Sequence, residues 1–243
     1  MRRFRPDDPL SIALIIVIVV ALVAAGLIGA ELYGRYRADS IVAAATKCVV
    51  HDNASVSFGA RPFLLQHMTG HYGKISIITA GNQIRGARGM KVYVSVDDVR
   101  LQSGTNPKGT IGALDATINW SSDGIKRTLQ NSVPLFGSFL GGVQTNPSDG
   151  TIELQGIVGS ITVKPQVRTN TVGLQVVSLN GLGLTLPSES VQPALDAFAS
   201  ELTDNYPLGI HADSVQVTDN GVVGHFSTRN ASIPQGNPCF ANL

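Results

Sequence analysis

The chain has 243 residues, 43% of them hydrophobic and 14% charged, with a formal net charge of +1. That length supports one sizeable domain with its own core. The near-neutral balance, with Lys and Arg scattered, excludes the clustered positive charge on which nucleic-acid binding rests.

From Leu10 to Ala30 no residue is charged, and Ile12 to Val20 is almost wholly aliphatic. As a helix, roughly 21 residues span about 31 Å, the thickness of a bilayer's hydrocarbon core. Arg2, Arg3 and Arg5 precede the run, and positive flanks stay cytoplasmic. The expected layout is a cytoplasmic tail at 1–9, a single-pass transmembrane anchor at 10–30, and everything after it on the periplasmic or extracellular side of the plasma membrane. A cleaved signal peptide is the alternative, but its apolar region is usually about 7 to 15 residues. Both readings export the remainder.

Residues 31–47 contain Leu32, Tyr33, Tyr36, Ile41, Val42 and Ala43 to Ala45 without a proline. They read as a helix leaving the membrane, either a stalk or a docked element. The only two cysteines, Cys48 and Cys239, stand near the two ends of the exported domain. In an oxidising compartment such a pair is most simply a disulfide. Two unpaired thiols are the alternative.

Beyond this point 26 glycines and 12 prolines favour short strands and turns. Alternation with a period of two marks strands at Ile75 and Ile77, at Val92, Val94 and Val96, at Ile152 and Leu154, at Ile161 and Val163, and at Leu182, Leu184 and Leu186. Val215 and Val217 lead through Asp219-Asn220-Gly221 into Val222 and Val223, a hairpin signature in which Asn-Gly supplies positive φ angles. Two short helices are predicted. One covers Pro62 to Met68, with Gly70 past its end. The other covers Glu189 to Leu202, capped by Ser188, with Val191, Leu195, Phe198 and Leu202 on one face. With no fixed-period repeat, one exported domain from 48 to 243 is expected.

The sequence carries no signature of catalysis: no Gly-x-Ser-x-Gly, His-Glu-x-x-His, phosphate-cradling or dinucleotide motif is present. His67 and His71 are four apart, but Gly70 lies between them and no carboxylate is near in sequence, so no metal is assigned. Asp97 and Asp98 read as a strand end, since adjacent strand residues face opposite ways. No cofactor and no catalytic residue is predicted. An exported β domain rich in aliphatics and poor in reactive groups suits an apolar ligand in a hydrophobic groove, although the same aliphatics can simply form a core.

The segment Val56-Ser57-Phe58-Gly59-Ala60-Arg61-Pro62-Phe63-Leu64-Leu65-Gln66, then Gly70, Ile75 and Ile77, resembles the opening of the actinobacterial phospholipid-binding family typified by lipomannan elongation factor A. Further agreements are the strand near Val92 to Leu101, Leu182-Gly183-Leu184-Thr185-Leu186-Pro187 before a helix, Leu208-Gly209-Ile210, and the closing hairpin with Gly221. The resemblance covers most of residues 48–230. It implies an α+β, mostly β fold, in which a strongly twisted antiparallel sheet packs on a helix, as in the tubular lipid-binding proteins. It also implies a non-enzymatic role in binding phospholipid or another acyl lipid at the plasma membrane, in cell-envelope maintenance or lipoglycan biosynthesis.

The residues assigned to lipid are Phe58, Phe63, Leu64, Ile75, Ile77, Val92, Val94, Leu135, Phe136, Phe139, Leu140, Leu195, Phe198 and Leu202. Leu195, Phe198 and Leu202 are expected to meet Phe63 and Leu64 across the groove. Leu135, Phe136, Phe139 and Leu140, flanked by glycines, are a candidate bilayer contact or groove entrance, or else a buried strand. The apolar, glycine-rich run 132–142 and the Cys48 and Cys239 pair depart from the family pattern. They leave room for a second reading, a non-catalytic accessory subunit docking a membrane protein complex, and an exported hydrolase is the third.

Overall fold

The structure is a computed structural model that describes residues 9–102, 109–132, 140–157, 159–181, 191–203, 207–233 and 238–240. Helix α1 runs without interruption over Pro9–Val50. Pro9 stands at its first position, where the missing N–H costs nothing. Its N-terminal half is apolar all round, solvent-facing in the isolated chain, and long enough to cross a membrane. Its second half docks against a sheet.

That sheet has six antiparallel strands in the order β1-β2-β5-β6-β12-β11. They are β1 (Ala54–Phe58), β2 (His71–Thr79), β5 (Met90–Leu101), β6 (Gly109–Ser121), β12 (Gly221–Ile233) and β11 (His211–Thr218). The little ribbon β3 (Gln83–Ile84) and β4 (Ala87–Arg88) sits between β2 and β5. A second antiparallel sheet has the order β10-β9-β8-β7, made of β7 (Leu140–Asn146), β8 (Thr151–Gly156), β9 (Gly159–Arg168) and β10 (Thr171–Gly181). The strand expected at Leu182, Leu184 and Leu186 lies outside the described residues.

Three short helices connect and cover these layers. Helix α2 (Phe63–Thr69) starts after Pro62 and ends at Gly70, whose φ of 63° is left-handed and whose N–H returns to the carbonyls of Gln66 and His67. Helix α3 (Ser122–Ser132) was not foreseen. Its signals are local: Ser121 Oγ accepts from the Gly124 N–H at 3.1 Å, and an Asp123 to Arg127 ion pair spans one turn at 2.8 Å. Helix α4 (Gln192–Thr203) begins later than the 189 expected, and Ser188 lies outside the described residues. Gln192 ties α4 to strand β10, accepting from Val176 N–H at 3.0 Å and donating to the Leu174 carbonyl at 2.7 Å.

Two apolar clusters result. The first joins α1, α2 and one face of the six-stranded sheet. The second joins α3, α4 and the four-stranded sheet, around Leu129, Leu195 and Val163.

The hairpin β11–β12 forms around Asp219 and Asn220, with Thr218 paired to Gly221. Neither turn residue has positive φ; Gly221 does, at 153°. Glycine is required there because a Cβ would lie 2.0 Å from the Trp120 carbonyl oxygen on β6. The steric demand comes from the neighbouring strand rather than from the turn expected at Asn-Gly. The Asp97-Asp98 pair also differs from expectation, lying inside β5 rather than at its end. Asp98 has a φ of 55° and is skipped in the pairing with both neighbouring strands, whose register is the same on either side of it.

Cys48 and Cys239 are disulfide-bonded, with Cα atoms 5.4 Å apart. The bond ties the last turn of α1 to the C-terminal segment.

Candidate lipid cavity

The outer half of α1 presents Gly34, Ala38, Val42, Ala45 and Val49 toward the sheet. This is helical spacing, so all five lie along one face. Their side chains are short, and opposite them stand the aliphatic residues of β2, β5 and β6. Short residues facing the sheet leave space unfilled, and here a cavity of about 520 Å³ remains. From Gly34 to Val50 the wall is about 24 Å long at 1.5 Å per residue.

The floor comes from alternate residues of adjacent strands: Ile75 and Ile77 of β2, Val92, Val94 and Val96 of β5, and Ile118 of β6, with Phe226 of β12 beyond. Register sets this face, because Ile75 pairs with Val96 and Ile77 with Val94.

One end is closed by aromatic rings. Phe63 lies 5.3 Å from Phe58 in an edge-to-face pair and 5.9 Å from Tyr72. The Phe63 ring can sit against α1 because position 34 is glycine; a Cβ there would be 3.0 Å from Phe63 Cδ1. Glu31, just below, accepts hydrogen bonds from the backbone N–H groups of Phe63 at 2.5 Å and Leu64 at 2.9 Å. Arg35 donates to Glu31 at 2.7 Å and to the Arg61 carbonyl at 2.8 Å.

The other end is fixed by Asp52, which is buried. Its carboxylate accepts from the N–H groups of Gly81 at 2.8 Å and Asn82 at 3.0 Å, and from the Asn82 side chain at 3.0 Å. Burial pushes this carboxyl upward, but the hydrogen bonds from Asn82, Gly81 and Asn53 outweigh it and leave it below the usual aspartate range.

Few polar groups reach the cavity. Thr46 Oγ1 donates to the Val42 carbonyl of its own helix at 2.8 Å. His67 Nδ1 meets the Tyr72 hydroxyl at 3.0 Å, and burial raises that phenol above its ordinary value, keeping it neutral. Arg37 of α1 is also on the lining. Such a lining offers dispersion contacts along its length and few hydrogen-bonding groups, the arrangement that suits an apolar chain.

Of the residues assigned to lipid from sequence, Phe58, Phe63, Leu64, Ile75, Ile77, Val92 and Val94 all line this cavity. Leu140, Leu195 and Phe198 do not. They are buried in the second cluster, where Phe198 stacks on Trp120 at 6.3 Å. Leu202 packs against both clusters. The helix facing Phe63 and Leu64 is therefore α1, whereas α4 is held on β10 by Gln192. Leu135, Phe136 and Phe139 lie outside the described residues.

The wall residues of α1, with Tyr72, Ile118 and Phe226, were missed. The spacing of Gly34, Ala38, Val42, Ala45 and Val49 was the available signal. His67 and His71 part company: His71 Nε2 pairs with Asp98 at 2.6 Å, a carboxylate brought in by strand pairing rather than by sequence proximity. Among the described residues no group of three or more His, Cys, Asp or Glu side chains could hold a metal ion.

No solved structure matches the chain. Uncharacterized proteins of Mycobacterium tuberculosis (strain H37Rv) and Mycobacterium bovis are each 55% identical to it over 246 residues, covering 100% of this chain and 70% of theirs. The sequence also matches the LmeA-like phospholipid-binding family over residues 25–227, a span that opens inside α1, takes in the α1 wall of the cavity and the second sheet, and ends within β12 of the first. On that match the chain belongs to the LmeA-like phospholipid-binding family.

Proposed function

We propose that this protein is a membrane-anchored carrier that holds phospholipid acyl chains between α1 and the six-stranded sheet, without catalysis, on the periplasmic side of the plasma membrane. The observation that carries this reading is the cavity of about 520 Å³, lined almost wholly by aliphatic and aromatic side chains. Residues 10–30 anchor it with the N-terminus inside, residues 48–243 form the exported lipid-binding unit, and its role lies in envelope maintenance or lipoglycan biosynthesis. Support comes from the family membership, from the charge-free run behind three arginines, and from the disulfide, a bond that persists in oxidising compartments.

The test is native mass spectrometry of the full chain released from membranes in mild detergent. Phospholipid retained at about one molecule per chain is the expected result. A lipid-free chain that co-purifies in fixed ratio with another membrane protein would instead make it an accessory subunit.

A further inference from the structure

The geometry points to α2 as a lip seated in the outer leaflet, with Leu65 and Met68 dipping into the bilayer so that the cavity opens directly onto the membrane that holds α1. The inference rests on the reading of residues 10–30 as the anchor and adds where lipid enters.

Because α1 has no break between Pro9 and Val50, the height of each residue above the bilayer is set in steps of 1.5 Å. The charge-free run ends at Ala30, which places Glu31 at the boundary between hydrocarbon and headgroups. Glu31 accepts from the first two N–H groups of α2, and Arg35 holds the Arg61 carbonyl just before it. Helix α2 is thereby pinned at the level of the headgroups, a layer about 5 to 8 Å thick on each side.

Seven residues long, α2 has two different faces. Phe63 and Gln66 are buried, and Phe63 and Leu64 line the cavity. On the other side Leu65 is 58% and Met68 84% exposed. Two large apolar side chains three apart on one short helix form a small greasy patch, worth most where water is already thin. Arg37, on the cavity lining with Leu64, and Arg61, just before Pro62, are both exposed cations, the kind of side chain that anionic headgroups attract. The occupant of this patch is the outer leaflet, since the patch is tethered within one helical turn of a segment already in that leaflet.

The experiment uses the full chain in vesicles of phosphatidylglycerol and phosphatidylethanolamine. Its native cysteines are paired, so Met68→Cys supplies a single thiol for an environment-sensitive fluorophore, with Ile157→Cys, at a 74% exposed position just after β8 of the four-stranded sheet, as the reference. Blue-shifted emission at position 68, quenched by lipids with a shallow nitroxide, and neither effect at 157, is the expected result. Water-like, unquenched emission at 68 overturns the inference, as does a blue shift without lipid quenching, which would signal a protein partner or a second copy. Retention of lipid by the same sample in native mass spectrometry would then leave the cavity reading intact. As a second arm, Leu65→Glu with Met68→Glu alters only exposed side chains. Retained lipid should drop about tenfold or more with the unfolding midpoint unchanged, since carboxylates resist burial in the interface. Undiminished lipid would also overturn the role of α2 as the entrance.

Discussion

The carboxylate of Glu31, one residue past the charge-free run of α1, accepts a hydrogen bond from the backbone N–H of Phe63, thirty-two positions away, at 2.5 Å. Together with the bond from Leu64 it fills the place of a side-chain cap, which Pro62 cannot supply. Glu31→Ala should speed amide exchange at Phe63 and Leu64 about tenfold or more, as expected when a charge-assisted bond is lost, while the amides of β6 keep their protection. Glu31→Gln, which retains one acceptor oxygen, should fall between. Unchanged exchange would mean that packing alone holds α2.

Filling the cavity and emptying the second cluster should have opposite signatures. Val94→Phe places added volume into existing space, so retained lipid should fall while the unfolding midpoint holds or rises. Phe198→Ala, removing a ring that is 5% exposed, should cost about 3 to 5 kcal/mol and leave lipid retention nearly intact. Denaturation curves with native mass spectrometry on both variants would check this. Lipid loss in Phe198→Ala alone would move the binding site to the second cluster.

Acid should loosen the Asp52 clamp. Its carboxyl is held below the ordinary value of 3.8 in the folded chain, so the folded state binds its proton less readily than the unfolded state does. Its contribution is therefore complete above about pH 4 and is lost as pH falls through the folded value. Asp52→Asn should cost about 1 to 3 kcal/mol at neutral pH, because donors from the Gly81 and Asn82 turn lose a charged acceptor. The variant should also show a shallower decline in stability below pH 4 than the parent, measured by thermal unfolding across a pH series.

The disulfide closes a loop with a sequence separation of 191. In the chain-entropy account this is worth on the order of 5 kcal/mol. A double change of Cys48 and Cys239 to Ser should lower stability by up to that amount in denaturant titrations. Non-reduced peptide mapping of the parent should recover the two residues linked.

Strand alternation was readable because one buried face imposes a period of two: Val92 and Val96 are buried as expected, and so are Ile152, Leu154 and Val163. The punctuation of α2 by Pro62 and Gly70 was equally plain, since each residue has one conformational use there. The partner of the groove was not readable in the same way. Val191, Leu195, Phe198 and Leu202 make an obvious apolar face, whereas the true wall is built from Gly34, Ala38 and Ala45, whose importance lies in what they leave empty. Hydrophobic periodicity reports where bulk is buried; a cavity needs small residues opposite large ones, and that pairing is settled only by the fold. The second sheet escaped notice because its strands carry the same alternation as the first, and nothing local says which strands share a layer.

With residues 10–30 anchored as proposed, an unbroken α1 makes the membrane segment and the cavity wall a single lever. Transmembrane helices answer a mismatch with bilayer thickness by tilting, on average about 20°. Over the roughly 30 Å from residue 30 to residue 50, such a tilt carries the far end of the wall sideways by about 10 Å. The sheet must follow, because Asp52 and the Cys48 to Cys239 bond fasten it at that end. On that proposal bilayer thickness would be transmitted mechanically to the posture of the sheets, and a lipid-induced change in posture would require no hinge within α1.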